Sequence, residues 1–483
     1  MEPVICNYII GEFEFKDRNN KTRILNSFES WENEDKIKTE TFKYKNENEI
    51  KNNIEIEIDG RREPFSYFYN CEVPGKYIIK YIFKNLLTKT VCLFADCKSL
   101  KKVDLSHFNT EKVTNMNSMF IGCKLLNEIN LTNINTQNVI DMVCMFCGCK
   151  SLKNIDVSKF NTEKVTKMNG LFYECESLEF LEVSKFNTKN VTNMACMFYG
   201  CKSLKNIDVS KFNTEKVTNM NGLFYECESL EFLEVSKFNT ENVTDMGYMF
   251  YGCTSLKNID VSKFNTEKVT KMNELFFGCQ LLNEINVKNF NTENLTNMSK
   301  MFCGCKSLKY LDLSKFNTRK VTDMNSMFRG CTLLKDINVI NFIATRDVDC
   351  KNMFVDCDSF PYACFFYSTR NRIDYNDINN IISKLKSKQN IIEYNNKINY
   401  KFIKAPNLKY KLKTNYDYKL TKFEIFTSFI DNTDYIAFSD KSDDKNLKIF
   451  YFYENKLKKK YHLILLLKKL DIILIKIIIM SIY

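Results

Sequence analysis

The chain has 483 residues, and it combines 20 Cys and 18 Met with only 13 Gly, 5 Pro, 2 His and 1 Trp. So little Gly excludes a fold built on glycine-rich phosphate loops, and two His argue against a histidine metal site or a histidine general base. The net charge is +11, but residues 101–350 carry 30 Lys and Arg against 28 Asp and Glu, whereas residues 371–483 carry 22 against 12. The excess positive charge therefore belongs to the C-terminal region, and nucleic-acid binding by the central region is not expected.

Residues 1–88 alternate apolar and polar side chains, as half-buried β-strands do. The clearest runs are residues 54–58 and 77–83, with turns at Asp59-Gly60 and Pro74-Gly75. We predict a small β-rich capping domain that covers the first repeat of the region that follows. The first residues lack the basic start and apolar run of a signal peptide, so the expected location is cytoplasmic by default.

A repeat of 26 residues runs through the centre of the chain and is marked by eleven cysteines. They are Cys97, Cys123, Cys149, Cys175, Cys201, Cys227, Cys253, Cys279, Cys305, Cys331 and Cys357. A fixed period of this length is typical of stacked repeat proteins, and we predict about ten repeats over residues 89–358. Residues 150–201 and 202–253 are nearly identical, which indicates recent copying and argues against a dedicated catalytic group in either block.

Each repeat contains two apolar patterns in succession. In the unit that begins at Leu152, Ile155 and Val157 alternate as in a short strand. Residues 165–175 then place apolar side chains three and four apart, which predicts a helix that begins near Asn161-Thr162. The pattern thus predicts one short parallel strand and one helix in each repeat.

The cysteine column is interpreted as a set of small, buried apolar residues. A zinc site would need cysteine pairs with partners elsewhere, and the cluster of Cys144, Cys147 and Cys149 has no His nearby. Disulfides remain an alternative only outside a reducing compartment. We therefore expect no metal and no cofactor, and the absence of a nucleophile–His–carboxylate set predicts that the protein is not an enzyme.

The repeated unit, for example MNGLFYECESLEFLEVSKFNT, resembles the BspA-type leucine-rich-repeat family in its variant with a 26-residue repeat. The resemblance covers about residues 90–358. It implies an α/β repeat fold, a right-handed leucine-rich-repeat solenoid, and a surface or adhesion-type binding role that would also allow a cell-surface location.

The outward residues of the strand segments form the candidate binding face. Its acidic column includes Asp156, Glu182, Asp208, Glu234, Asp260 and Asp312, and its aromatic members are Phe180, Phe232 and Tyr310. Aromatic anchors in a charged surrounding are typical of protein interfaces. The alternative is a solvated sheet face on which lysines neutralise the acids.

The C-terminal region has three predicted parts. Residues 359–422 are predicted to be a helical or irregular linker, and residues 423–460 a three-stranded β segment with a weak resemblance to one blade of a WD40-type propeller. Residues 461–483 form an apolar tail rich in Ile, Leu and Lys, whose charges interrupt any span of the ~20 residues that a membrane helix needs. Membrane association is expected only through this tail.

The sequence therefore predicts a non-enzymatic protein that binds another macromolecule, most directly a protein, through the exposed sheet face. The alternative is a structural spacer or surface shield that varies by repeat copying and has no dedicated ligand site. The partner is not identified by the sequence.

Overall fold

The computed structural model describes residues 7–35, 44–338, 349 and 351–359, together with strand segments at 403–404, 423–430, 433–440 and 448–454. Most of the predicted linker at 359–422 and the whole predicted tail at 461–483 lie outside the described residues.

The N-terminal region is built from six strands and two short helices. The strands are β1 Tyr8–Phe15, β2 Lys21–Arg23, β3 Ile54–Ile58, β4 Arg61–Glu63, β5 Phe68–Asn70 and β6 Gly75–Phe83, and the helices are α1 Phe28–Asp35 and α2 Glu47–Asn53. Alternate side chains of β1 and β3 are buried, as their apolar and polar alternation requires. The buried side chains join one core that continues into the repeats.

The N-terminal strands continue into the strands of the first repeats, β7 Leu100–Asp104 and β8 Glu128–Asn130. The sheet order is β4-β3-β6-β1-β7-β8, with β1 antiparallel to β7 and β7 parallel to β8. A second contact comes from α1, where Trp31 Nε1 lies 3.2 Å from Asp96 Oδ2. N-terminal residues therefore contact the first repeat both at the backbone of its strand and at the side chain of Asp96.

The later repeats carry very short strands. They are β9 Asn154–Ile155, β10 Phe180–Leu181, β11 Asn206–Ile207, β12 Phe232–Leu233, β13 Tyr310–Asp312 and β14 Asp336–Asn338. A second contact, an isolated parallel bridge, joins equivalent residues of neighbouring repeats from Lys89↔Asn115 through to Asp323↔Asp349. Each repeat therefore lies beside the next in parallel and in the same register.

The predicted leucine-rich-repeat solenoid with one helix in each repeat is wrong. The described residues are mostly strand and turn, and both helices precede the repeats. Within this range residues 169–174 form successive turns. The N–H of Leu171 donates to the Met168 carbonyl at 3.2 Å, and the N–H of Gly170 donates across to Ala195 of the next repeat at 2.9 Å. An α-helix would require every N–H to bond within the same segment, four residues back.

Turns of three or four residues bring the same positions inward as a helix does. The three- and four-residue apolar spacing therefore predicted a helix where the chain forms turns. The φ angle of Gly170 is +65°, in the left-handed region that no regular right-handed helix contains. The apolar spacing is therefore satisfied by a chain of turns whose alternate N–H groups bond to the neighbouring repeat.

Three buried columns run through the stacked repeats. The phenylalanine column stacks nearly parallel rings, with the Phe198 and Phe224 centroids 5.5 Å apart. In the cysteine column each thiol donates to a carbonyl of the preceding repeat, as from Cys201 to Phe172 at 3.2 Å. The threonine column comprises Thr110, Thr136, Thr162, Thr188, Thr214, Thr240, Thr266, Thr292 and Thr318, each at most 2% exposed.

A further aromatic column lies half-buried on a different side of the repeats. The rings of Tyr173, Tyr199, Tyr225, Tyr251 and Phe277 stack with centroid distances between 4.0 and 4.5 Å. Stacked rings of this kind bury the faces of the aromatic groups and leave their edges near solvent.

The C-terminal strands are β15 Ile403–Lys404, β16 Phe423–Ile430, β17 Thr433–Asp440 and β18 Lys448–Glu454. They form an antiparallel sheet in the order β15-β16-β17-β18.

Candidate interaction surface

Three large aromatic side chains stand exposed on the strand face of the repeats. Phe180, Phe232 and Tyr310 are 61%, 59% and 62% exposed. Each begins a strand at the same position of its repeat. The repeat between the two phenylalanines has Asn206 at this position, and Asn206 pairs with Phe232. With strands ~4.8 Å apart, Phe180 and Phe232 are separated by about 10 Å. Tyr310 lies three repeats beyond Phe232.

A groove of about 880 Å³ lies between Phe232 and Tyr310. It brings together five of the nine predicted site residues, namely Phe232, Glu234, Asp260, Tyr310 and Asp312. The other four, Asp156, Phe180, Glu182 and Asp208, lie on preceding repeats outside the groove. The volume is in the range of pockets that hold a small ligand or the side chains of a peptide.

The groove lies where regular strand pairing is interrupted. Residues 258–259 and 284–285, in the two repeats between β12 and β13, are not in strands. Ile285 on the lining is partly exposed, whereas Ile259 at the equivalent position is 8% exposed. An apolar side chain thus becomes accessible between the two exposed rings.

The acidic column has a structural role in the turns that follow the strands. A carboxylate oxygen of Asp208 accepts from the N–H of Ser210 at 2.9 Å, and Glu234 accepts from Ser236 at 2.8 Å. The same contact recurs at Asp156, Glu182, Asp260 and Asp312, between 2.8 and 3.0 Å. These carboxylates therefore satisfy backbone donors of the fold as well as facing solvent.

The same hydrogen bonds keep the acids ionised. The hydroxyl and the N–H of Ser210 lower the pKa of Asp208, and the equivalent serines lower the pKa of Asp156, Glu182, Glu234 and Asp260. Partial burial opposes this effect at Asp312, where Ser314 and Lys288 outweigh it and the pKa is still lowered. The column is negatively charged at neutral pH.

Lysines pair with carboxylates of this face, within the acidic column at Asp312 and outside it at Glu231. Lys288 Nζ lies 3.5 Å from an Asp312 carboxylate oxygen, and Lys257 Nζ lies 3.1 Å from Glu231 and 5.9 Å from the Phe232 ring centroid. The sequence interpretation missed Lys257, Ile285 and Lys288 as lining or flanking residues. The alternation of Lys and Glu at the position before the aromatic column was the available signal for Lys257.

Two other kinds of site are absent from the described part of the chain. No three His, Cys, Asp or Glu side chains there are placed to hold a metal ion together. No helix among the described residues has the length and apolar character needed to cross a membrane.

A family model described as "Mycoplasma protein of unknown function, DUF285" matches the chain three times, at residues 88–205, 172–285 and 257–366. These matches span more than half of the 483 residues, so the chain belongs to this family and is a repeat protein. No curated protein and no solved structure matches the chain.

The resemblance to the BspA-type leucine-rich-repeat family was wrong, because the family that matches is DUF285. The matches end at residue 366, so no family supports the weaker resemblance of residues 423–460 to a WD40-type blade. The 26-residue period was read correctly, but it belongs to a different repeat family.

Proposed function

We propose that this DUF285 protein binds another macromolecule, a protein, through the groove between Phe232 and Tyr310. The observation that carries the proposal is the exposure of both rings, 59% and 62%, on opposite sides of a groove of about 880 Å³.

The rings and the partly exposed Ile285 are the apolar part of the proposed contact. Exposed apolar area disfavours the free state by about 25 cal/mol per Å², so covering these side chains would contribute to affinity. Aromatic side chains lose few rotamers on binding, which makes them effective anchors at the centre of an interface.

The charged groups around the rings favour a particular kind of protein partner. Glu234 and Asp260 are exposed and ionised, while Lys288 is engaged with Asp312. The lining of the groove holds four carboxylates against one lysine, so its net charge is negative. It suits a segment in which apolar side chains are flanked by Lys or Arg.

The proposal is tested with the full chain as immobilised bait in three forms: natural, Phe232→Ser/Tyr310→Ser, and Val73→Ser. Val73 is 66% exposed in the N-terminal region and serves as a matched control for loss of an exposed apolar side chain. We expect the natural chain and the Val73→Ser control to retain the same specific partners. The affinity of the double variant for these partners should be at least about tenfold lower. Far-UV circular dichroism checks that all three are folded.

A second function, that of a structural spacer, is favoured by the pairing of charges. The pairs Lys153–Glu179 and Lys257–Glu231 lie 3.6 and 3.1 Å apart, and the acidic column bonds to backbone donors. A spacer would retain the same proteins, or none, with all three baits, and that result would overturn the binding proposal.

A further inference from the structure

One turn of the repeats contains two cysteines in a C-x-x-C arrangement, Cys144 and Cys147. The N–H of Cys147 donates to the carbonyl of Cys144 at 3.1 Å, which closes a four-residue turn. The first and fourth Cα atoms of such a turn lie within 7 Å of each other. This is close to the separation that a disulfide spans, usually ~4.4–6.8 Å between Cα atoms.

The two thiols are near enough to change each other's pKa, and the Cys144 thiol also donates to the Asn169 carbonyl at 3.9 Å. Both residues are partly exposed, whereas the cysteine column beside them is buried, with the Cys149 thiol donating to the Phe120 carbonyl at 3.3 Å. The pair is therefore partly open to solvent, with both thiols on one four-residue turn.

The neighbouring repeat leaves room for this pair. A Cβ atom on Gly170 would lie 2.8 Å from the Cys144 sulfur, so any larger residue at 170 would collide with it. The same arrangement recurs two repeats later, where a Cβ on Gly222 would lie 3.3 Å from the Cys196 sulfur. There the second cysteine is replaced by Tyr199, so Cys196 has the same surroundings without a thiol partner.

We propose that Cys144 and Cys147 form a thiol–disulfide exchange site that reduces a low-molecular-weight disulfide and becomes an intramolecular disulfide. The Cys144 thiolate attacks one sulfur of the small disulfide, whose S–S bond breaks and releases one thiolate that takes up a proton. The Cys147 sulfur, after losing its proton, then attacks the Cys144 sulfur of the mixed disulfide and releases the second thiol. The chain loses two hydrogens and the small disulfide gains them.

The order of attack follows from the groups around each sulfur. The hydrogen bond from Cys147 lowers the pKa of Cys144, against the opposing effects of burial and of the Asp141 carboxylate. The hydrogen bond to Cys144, together with burial, raises the pKa of Cys147, and the buried thiols of Cys175 and Cys149 act in the same direction. Burial raises the pKa of Cys196 to about 11. Cys144 is therefore the first nucleophile, and Cys196 is a slow one.

The test uses the native full chain and the aromatic disulfide 5,5′-dithiobis(2-nitrobenzoic acid) at pH 8, with release of the coloured thiol followed in time. Four chains are compared: natural, Cys144→Ser, Cys147→Ser and Cys196→Ser. We expect the natural chain to release two equivalents of the coloured thiol in a fast phase. This phase should be at least about tenfold faster than the reaction of Cys196, because the lower pKa of Cys144 increases its thiolate fraction more than it weakens the thiolate as a nucleophile. Mass spectrometry after alkylation should show the peptide of Cys144 and Cys147 lighter by two hydrogens.

The variants separate this site from other accessible thiols. Cys144→Ser should lose the fast phase, Cys147→Ser should stop at one equivalent with a stable mixed disulfide on Cys144, and Cys196→Ser should react like the natural chain. A fast phase that survives in Cys144→Ser would overturn the proposal, as would a persistent mixed disulfide on Cys144 while Cys147 is intact. Because Cys196→Ser changes the equivalent position, its circular dichroism shows whether serine there is compatible with folding.

Discussion

The threonine column makes a strong prediction about stability, which Thr188→Val tests. Thr188 is 1% exposed, and its hydroxyl donates to the Asn213 carbonyl at 2.9 Å and accepts from the Asn213 N–H at 2.7 Å. Valine has nearly the same shape but cannot make either bond. Two backbone groups of Asn213, which is itself an exposed residue, would then lose their protein partner, at about 1 kcal/mol each.

We expect Thr188→Val to lower the free energy of unfolding by about 2 kcal/mol, whereas Thr188→Ser should lower it by about 1 kcal/mol, for the lost methyl group. Thr192 provides the control, because it is exposed and its hydroxyl lies 3.3 Å from the Thr166 carbonyl. Thr192→Val should stay within about 0.5 kcal/mol of the natural chain.

The measurement is urea denaturation followed by far-UV circular dichroism, with hydrogen exchange of the Asn213 amide as a local readout. The comparison requires equal denaturant slopes, since repeat proteins can unfold in parts. If Thr188→Val were as stable as the natural chain, or if Thr188→Ser lost as much as Thr188→Val, the reasoning from buried hydrogen bonds would be refuted.

Three further predictions concern the core, the acidic column and the buried thiols. Phe224→Ala, which removes a fully buried ring, should lower the free energy of unfolding by about 3–5 kcal/mol, and Phe232→Ala, which removes an exposed one, by less than about 1 kcal/mol in the same denaturation assay. Because its folded-state pKa is lowered, Asp208 contributes stability above its unfolded pKa of about 4 and loses it as the pH falls through the folded value. Asp208→Asn should therefore reduce the fall in Tm between pH 7 and 3 measured by calorimetry, and an unchanged fall would contradict this role. Burial raises the pKa of Cys201 to about 12, so iodoacetamide at pH 8 should label it only in urea, as read by mass spectrometry.

The packing of the repeats could be predicted from the sequence because their apolar side chains recur at fixed positions. The prediction that the cysteine column is buried is confirmed, as Cys201 and Cys227 are 0% exposed. The helix prediction failed because Val165, Met168 and Phe172 face inward equally well from a series of turns. A spacing of three and four residues reports which side chains face the core and carries no information on where the N–H groups bond.

The candidate site was harder to predict than the core. The exposure of Phe180, Phe232 and Tyr310 follows from strand alternation, and their measured exposure agrees with it. The groove depends instead on the interruption of strand pairing at residues 258–259 and 284–285, which no local pattern specifies. The serine two residues after each acid was a signal that its N–H donates to the acid in a turn. An acid with this structural role need not bind a ligand.

The nearly identical blocks 150–201 and 202–253 have a consequence for how such a chain can evolve. Every junction joins equivalent positions, with phenylalanine on phenylalanine and each cysteine thiol on the same carbonyl, so a whole block can be gained or lost without creating a new type of contact. One block spans two repeats and would move everything after it by about 10 Å. A single recombination event can thus change the length of the repeat stack by a fixed increment. The contacts within each added block stay the same.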